Sequence, residues 1–168
     1  AVFRFFSEEK KIASWRVEGP FDSNYSLSIL NRFLALSLKK FLTRVSIHIT
    51  EGGGDYTPNE NFLKRIPSIF SLYNNSKNDV KTSDITSRNL YPPRVSDLDS
   101  RLNILHSYGW EESGFPSEWV YDFNRYLQGI TVMSEQVKKI LIDNGVKIPI
   151  AVTGLGLDHI DKIIAEKQ

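Results

Sequence analysis

The chain has 168 residues, 40% hydrophobic, 24% charged and 12% aromatic, a balance that fits one folded domain with its own buried core and argues against a disordered chain. Its 21 basic and 20 acidic residues nearly cancel to a formal +1, so no global field draws it to nucleic acid or to an anionic membrane. The absence of cysteine excludes disulfides, thiolate metal sites and cysteine nucleophiles, and no apolar run approaches the roughly 20 residues of a membrane helix. These features predict a cytoplasmic domain with no transmembrane segment and no nucleic-acid partner, leaving open a peripheral attachment at the inner face of the membrane. Ala1 in the place of an initiating Met reads as the start of an excised or processed segment.

Taken in chain order, Ile12 to Val17 reads as the first strand, closed by Glu18-Gly19-Pro20. From Ser26 to Phe41, Leu27, Leu30, Leu34, Leu38 and Phe41 recur at helical spacing. That pattern predicts a deeply buried helix whose exposed side is a narrow row of Ser28, Arg32 and Lys39. Val45, Ile47 and Ile49 alternate with polar residues and predict the second strand. A helix from Asn59 is expected to stop near Arg65, before Pro67, and Asn74 to Asp79 reads as loop.

Asp84 to Leu90 reads as a further strand before the Tyr91-Pro92-Pro93-Arg94 turn, and Arg101 to His106 as another. Ser107 to Ser117 is expected to be loop. Ser117 to Leu127 has a helical apolar side, and Gly129 to Met133 is a short apolar strand. Ser134 can cap the next helix, Glu135 suits its positive end, and Asn144-Gly145 supplies a left-handed stop before a last strand at Ile148 to Val152. Strands alternating with helices predict a single α/β domain, a Rossmann-like, doubly wound and mostly parallel sheet with helices on both faces. In such folds the crevice lies beyond the carboxyl ends of the strands, which directs attention to the loops after Val17, His106, Met133 and Val152.

Two of these loops carry candidate chemistry. Gly19 to Ser26 leads into the amino end of the first helix, where unpaired N–H groups favour an anion, and Gly19 allows close approach to the backbone. It lacks the three spaced glycines of a dinucleotide fingerprint and the Gly-Lys-Ser/Thr of a P-loop, and a plain turn capped by Ser23 or Asn24 explains it as well. His106 precedes Ser107-Tyr108-Gly109-Trp110-Glu111-Glu112-Ser113, a segment with aromatic faces suited to sugar rings and two carboxylates. His106 can take a proton from an acceptor hydroxyl or hydrogen-bond to it, and it can equally be a satisfied structural residue. Three scattered histidines form no metal motif, and no metal is expected.

Gly19 to Asn31, read as Gly-Pro-Phe-Asp-Ser-Asn-Tyr-Ser-Leu-Ser-Ile-Leu-Asn, resembles the opening loop and helix of bacterial GT-B glycosyltransferases of the family 4 type. Trp110-Glu-Glu-Ser-Gly-Phe-Pro-Ser-Glu-Trp119, Ile130 to Ser134, Gly145 to Ile150 and Gly154-Leu-Gly-Leu-Asp158 follow in that family's order, while residues 51–90 match no part of it.

The resemblance implies an N-terminal, acceptor-binding domain over residues 1–158, with 159–168 beginning a linker or crossover helix to a C-terminal domain that binds the nucleotide-sugar donor. It implies that Gly19, Pro20, Tyr25 and Ser26 lie near the donor diphosphate. It also places His106, Tyr108, Trp110, Glu111, Glu112, Ser113 and Ser134 around the acceptor, and Gly154, Gly156 and Asp158 at the interdomain hinge. Leu155 stands where the family usually has Asn or His. The expected function is hexosyl transfer to a glycan or lipid-linked acceptor in bacterial polysaccharide biosynthesis. This chain would hold no cofactor and would be inactive without its donor domain. The competing readings are a stand-alone flavodoxin-like module that binds a small anion or sugar without chemistry, and a regulatory subunit of an active transferase.

Overall fold

The protein is described by a computed structural model over residues 14–50, 57–77 and 83–156. Strands β1 (Ser14–Glu18), β2 (Arg44–His48), β3 (Ile85–Arg88), β4 (Leu102–Tyr108), β5 (Gly129–Val132) and β6 (Ile150–Val152) form one sheet in the order β2-β1-β3-β4-β5-β6. All their pairings are parallel. Helices α1 (Ser26–Lys39), α2 (Glu60–Lys64), α3 (Pro67–Lys77), α4 (Ser117–Tyr126) and α5 (Glu135–Asp143) link them. The predicted α/β, Rossmann-like arrangement is therefore present. The chain steps from β1 to β2 on one side and returns to β3 on the other, so the sheet's switch point lies between β1 and β3.

Register shows why both faces are covered. Trp15, Val17, Val45, Ile47 and Ile85 occupy paired positions on one face. There Val17, Val45 and Ile47 pack with Ala35 of α1, Leu63 of α2, and Ile69 and Leu72 of α3. The opposite face carries Glu18, paired in turn with His48 and Arg88, and then changes character at Leu105, Ile130 and Ile150. Leu105, Ile130 and Val132 join Phe123 of α4 and Val137 and Leu141 of α5 in a second core. At about 25 cal/mol per Å² of buried apolar area, these two clusters supply most of the favourable energy of folding.

Three expectations are corrected. Helix α1 buries Ser28, Asn31, Arg32 and Ala35 most deeply; of the predicted leucine stripe, Leu34 and Leu38 are half-buried against the core, Leu27 and Leu30 are half-buried outside it, and Phe41 lies beyond the helix with 84% of its surface exposed. The reason is what the first turns of α1 cover: they meet carbonyls of the loop after β1 and of Asn89 just beyond β3, which Asn31 and Arg32 satisfy, while Ser28 pairs with the Ser23 hydroxyl. The segment read as loop from Asn74 is helical to Lys77, because Pro67 opens α3, where a missing N–H costs nothing. Ser107 and Tyr108 belong to β4, where the register shifts after Leu105 and Ser107 adopts φ +49°. Ile12 and Ala13 of the predicted first strand lie outside the described residues.

The α5 signals act as read. The Ser134 hydroxyl accepts the Val137 N–H at 3.3 Å, Glu135 sits in the first turn, and Gly145 takes φ +99° after the Asn144 cap. Among the described residues no helix is long and apolar enough to cross a membrane.

Candidate functional site

At the carboxyl ends of β3, β4 and β5 lies a cleft of about 370 Å³. Leu27 from the first turn of α1 lines it on one side and Asn89, Leu90 and Tyr91 after β3 on another; the end of β4 contributes Ser107 to Glu112, and Met133 follows β5. Tyr91 is 69% exposed, while Glu111 and Glu112 present exposed carboxylates. No Lys, Arg or His is among the described lining residues.

An aromatic cluster holds this wall in place. Trp110 packs edge-to-face on Phe115 at 4.9 Å between ring centroids and on Trp119 at 5.6 Å, and Trp119 meets Tyr91 at 6.1 Å. The Trp110 indole N–H donates to the Gly114 carbonyl at 2.8 Å, which fixes the ring's rotation. Each such pair contributes about 1 kcal/mol beyond area burial, so the loop is a shaped surface and not a loose connection. Tyr108 closes the cluster from below, against Phe115 and Phe123. Its hydroxyl is buried without a hydrogen-bond partner among the described residues, and burial, with Tyr91 adding to it, pushes the phenol well above its ordinary range.

Behind the cleft an amide hub ties the switch point together. Asn31 Nδ2 donates to the Pro20 carbonyl at 2.7 Å and to the Asn89 carbonyl at 3.1 Å. Two carbonyl partners orient that amide, so its Oδ1 is the acceptor for His106 Nε2 at 2.7 Å, and the imidazole is the Nε2–H tautomer. His106 is 3% exposed, and its Nδ1 has no hydrogen-bond partner among the described residues. Desolvation pulls its pKa down to about 3, and the Ser87 carbonyl, which would favour the cation, offsets only part of this. His106 is thus a neutral, buried ring bonded to Asn31 that does not line the cleft.

Gly19 has a comparable internal reason. At φ +136° a Cβ would lie 2.2 Å from the Asn89 carbonyl oxygen and 2.5 Å from Asn31 Nδ2, so its bare backbone makes room for the hub. The loop after it is fixed by Arg32, whose Nη1 donates to the carbonyls of Phe21 and Ser23, and by Asp22, whose carboxylate accepts the Asn59 N–H at 2.7 Å. The expected caps from Ser23 or Asn24 are not formed. Tyr25 is the N-cap residue and makes no side-chain capping hydrogen bond, and the Ser23 hydroxyl pairs with that of Ser28 at 2.8 Å. Pro20 is half-buried, and Tyr25 and Ser26 are exposed beside Leu27, near the cleft but not lining it.

The structure thus brings together Tyr108, Trp110, Glu111 and Glu112 of the predicted acceptor set. Ser113 is exposed outside the lining, its carbonyl accepting Asn144 Nδ2 at 2.9 Å, and Ser134 is occupied in capping α5. Gly154 and Gly156 end the described chain after β6 in open space, Gly154 with φ +67°, and Asp158 lies outside the described residues. The sequence reading missed Asn31, Asn89, Tyr91 and Met133. Asn31 carried a signal, an amide one turn after Ser28 and next to Arg32 in a leucine-rich helix; the others join the site only through strand order.

Among the described residues no cluster of His, Asp or Glu is arranged to hold a metal ion. No family, no curated protein and no solved structure matches this chain.

Proposed function

We propose that this domain presents the acceptor in a glycosyltransferase that draws its sugar from a nucleotide-sugar donor. The observation that carries the reading is the cleft at the carboxyl ends of the sheet, where Tyr91 and Trp110 offer aromatic surface for a sugar ring and Glu111 and Glu112 offer acceptors for its hydroxyls. The start of α1, without a side-chain cap, supplies N–H donors and a positive dipole end suited to a diphosphate. The order β2-β1-β3-β4-β5 is also that of flavodoxin-like modules, which keeps a stand-alone binding domain as the second reading.

In transfer, the acceptor hydroxyl oxygen forms a bond to the donor's anomeric carbon, the bond from that carbon to the diphosphate breaks, and the hydroxyl proton passes to a base. Glu111 and Glu112 are the described carboxylates placed to receive it. His106, closed off behind the cleft, acts as a positioning residue through Asn31. The donor site belongs to a second domain, so the chain alone binds acceptor without turnover. The test is transfer from radiolabelled nucleotide sugars to candidate acceptors, by this chain and by the polypeptide joined to a donor domain. Multiple turnovers by the chain alone would overturn the half-enzyme reading.

A further inference from the structure

Resting on that reading, we infer that the cleft selects a sugar without negative charge, a neutral or amino sugar, and rejects uronates and sugar phosphates. The observation is the sign of its lining. Glu111 and Glu112 each bring a full negative charge to the cleft, and no described lining residue brings a positive one. Two buried cations are offset by carboxylates: Arg88 is paired with Glu18 and Asp97, and the charge of Arg32, which donates to the Phe21 and Ser23 carbonyls, is opposed by the buried Asp22. Against the two glutamates stands the amino end of α1, worth about half a charge. Two whole charges outweigh one half at comparable distance. The cleft walls exclude water on one side, so repulsion of an anionic ligand is screened less than on an open surface. Hydroxyls and ammonium groups donate to carboxylates, whereas a phosphate or carboxylate substituent has nothing to offer them.

The experiment is a titration of the isotope-labelled chain with four methyl glycosides of one ring configuration: neutral, 2-amino, 6-carboxylate and 6-phosphate. The Trp110 indole N–H signal reports the cleft. The neutral and amino glycosides are expected to shift it at millimolar concentration, with the two anionic ones at least tenfold weaker. The Glu111→Gln/Glu112→Gln variant is expected to narrow that gap, and both side chains are exposed, so the fold tolerates the change. A response to the anionic glycosides equal to or stronger than the neutral one overturns the charge selection while leaving the acceptor reading in place. No response to any of the four overturns both.

Discussion

Asn31 and His106 are 75 residues apart in the chain and share a buried hydrogen bond of 2.7 Å, the contact that locks α1 to the end of β4. Because Asn31 also holds the Pro20 and Asn89 carbonyls, one side chain fixes three of the segments around the switch point. Replacing it with Leu, of similar volume, leaves two carbonyls and an imidazole N–H buried without partners. At 1–3 kcal/mol for each unsatisfied group, Asn31→Leu is expected to lose about 3 kcal/mol or more of unfolding free energy. Urea denaturation monitored by tryptophan fluorescence measures it. A loss under about 1 kcal/mol would mean that the amide does not hold the three segments.

The neutral state of His106 makes stability depend on pH in a defined direction. The folded pKa of about 3 lies below the ordinary value of 6.5, so between these limits the unfolded chain binds a proton that the folded chain refuses. The contribution is fully present above pH 6.5 and declines by about 1 kcal/mol per pH unit as pH falls towards 3. Asp97, whose carboxyl is held below its usual range by the Arg88 guanidinium despite a burial effect that raises it, adds its own loss only at the acid end. The window from pH 5 to 6.5 therefore lies clear of that carboxylate, and the difference between the parent and a His106 variant within it reports His106 alone among the three histidines. His106→Gln keeps a donor for Asn31 and is expected to flatten the pH dependence there, read as the difference in urea midpoint between pH 7 and pH 5. Parallel slopes for the two proteins would contradict the buried neutral ring.

Three glycines give a graded series. Gly19→Ala places a methyl group against backbone at 2.2 Å with φ +136°, and neither the Asn89 carbonyl nor the backbone angle can yield cheaply, so a loss of about 3 kcal/mol or more is expected. Gly109→Ala meets the Met133 methyl at 2.1 Å, a flexible end that can swing away. A milder loss of about 1 kcal/mol is expected, and because Met133 lines the cleft, acceptor affinity should change more than stability. Gly114→Ala has nothing within 4 Å and should stay within about 0.5 kcal/mol of the parent. Thermal unfolding of the three variants ranks them, and any other order would contradict the packing around the switch point.

These tests also mark what periodicity can and cannot carry. Alternation at Val45 and Ile47 and the capping signals at Ser134 and Gly145 depend on residues within a few positions, and the structure has both elements where the sequence places them. Apolar-inward logic holds for Leu34 and Leu38 of α1, which meet an apolar floor, but not for its first turns. There the neighbours are carbonyls, which take Asn31 and Arg32, and the Ser23 hydroxyl, which takes Ser28. The cleft was half legible for a similar reason. Trp110, Glu111 and Glu112 share one segment, but Leu27, Tyr91 and Met133 reach it only because β1, β3, β4 and β5 are neighbours, a property of strand order that local pattern does not encode. Strand alternation after Leu105 puts His106 on the α1 side, and the register shift beyond it turns Tyr108 to the opposite face, so the two do not share one surface.

The polar half of the sheet face opposite α1 depends on Arg88. Its guanidinium, 3% exposed, donates to Glu18 Oε2 at 2.6 and 2.9 Å, to Asp97 at 2.6 Å and to the Arg94 carbonyl at 2.6 Å. Burial alone would lower its pKa, but hydrogen bonds and charge from Asp97 and Glu18 overcome this and push it up, so the residue is a fixed cation. Arg88→Met removes that cation and leaves the buried Glu18 carboxylate with only the longer 3.7 Å ion pair to Arg16, at an expected loss of about 3 kcal/mol. Arg88→Lys keeps the charge but not the planar fork that serves two carboxylates and a carbonyl together, so an intermediate loss of about 2 kcal/mol is expected. The double variant Glu18→Gln/Arg88→Met removes the orphaned charge as well and should recover at least half of the single-variant loss. Measuring the three by urea denaturation at pH 7 separates the two causes: if the double variant is no more stable than Arg88→Met, the damage comes from lost packing around β3 and not from the uncompensated charge on β1.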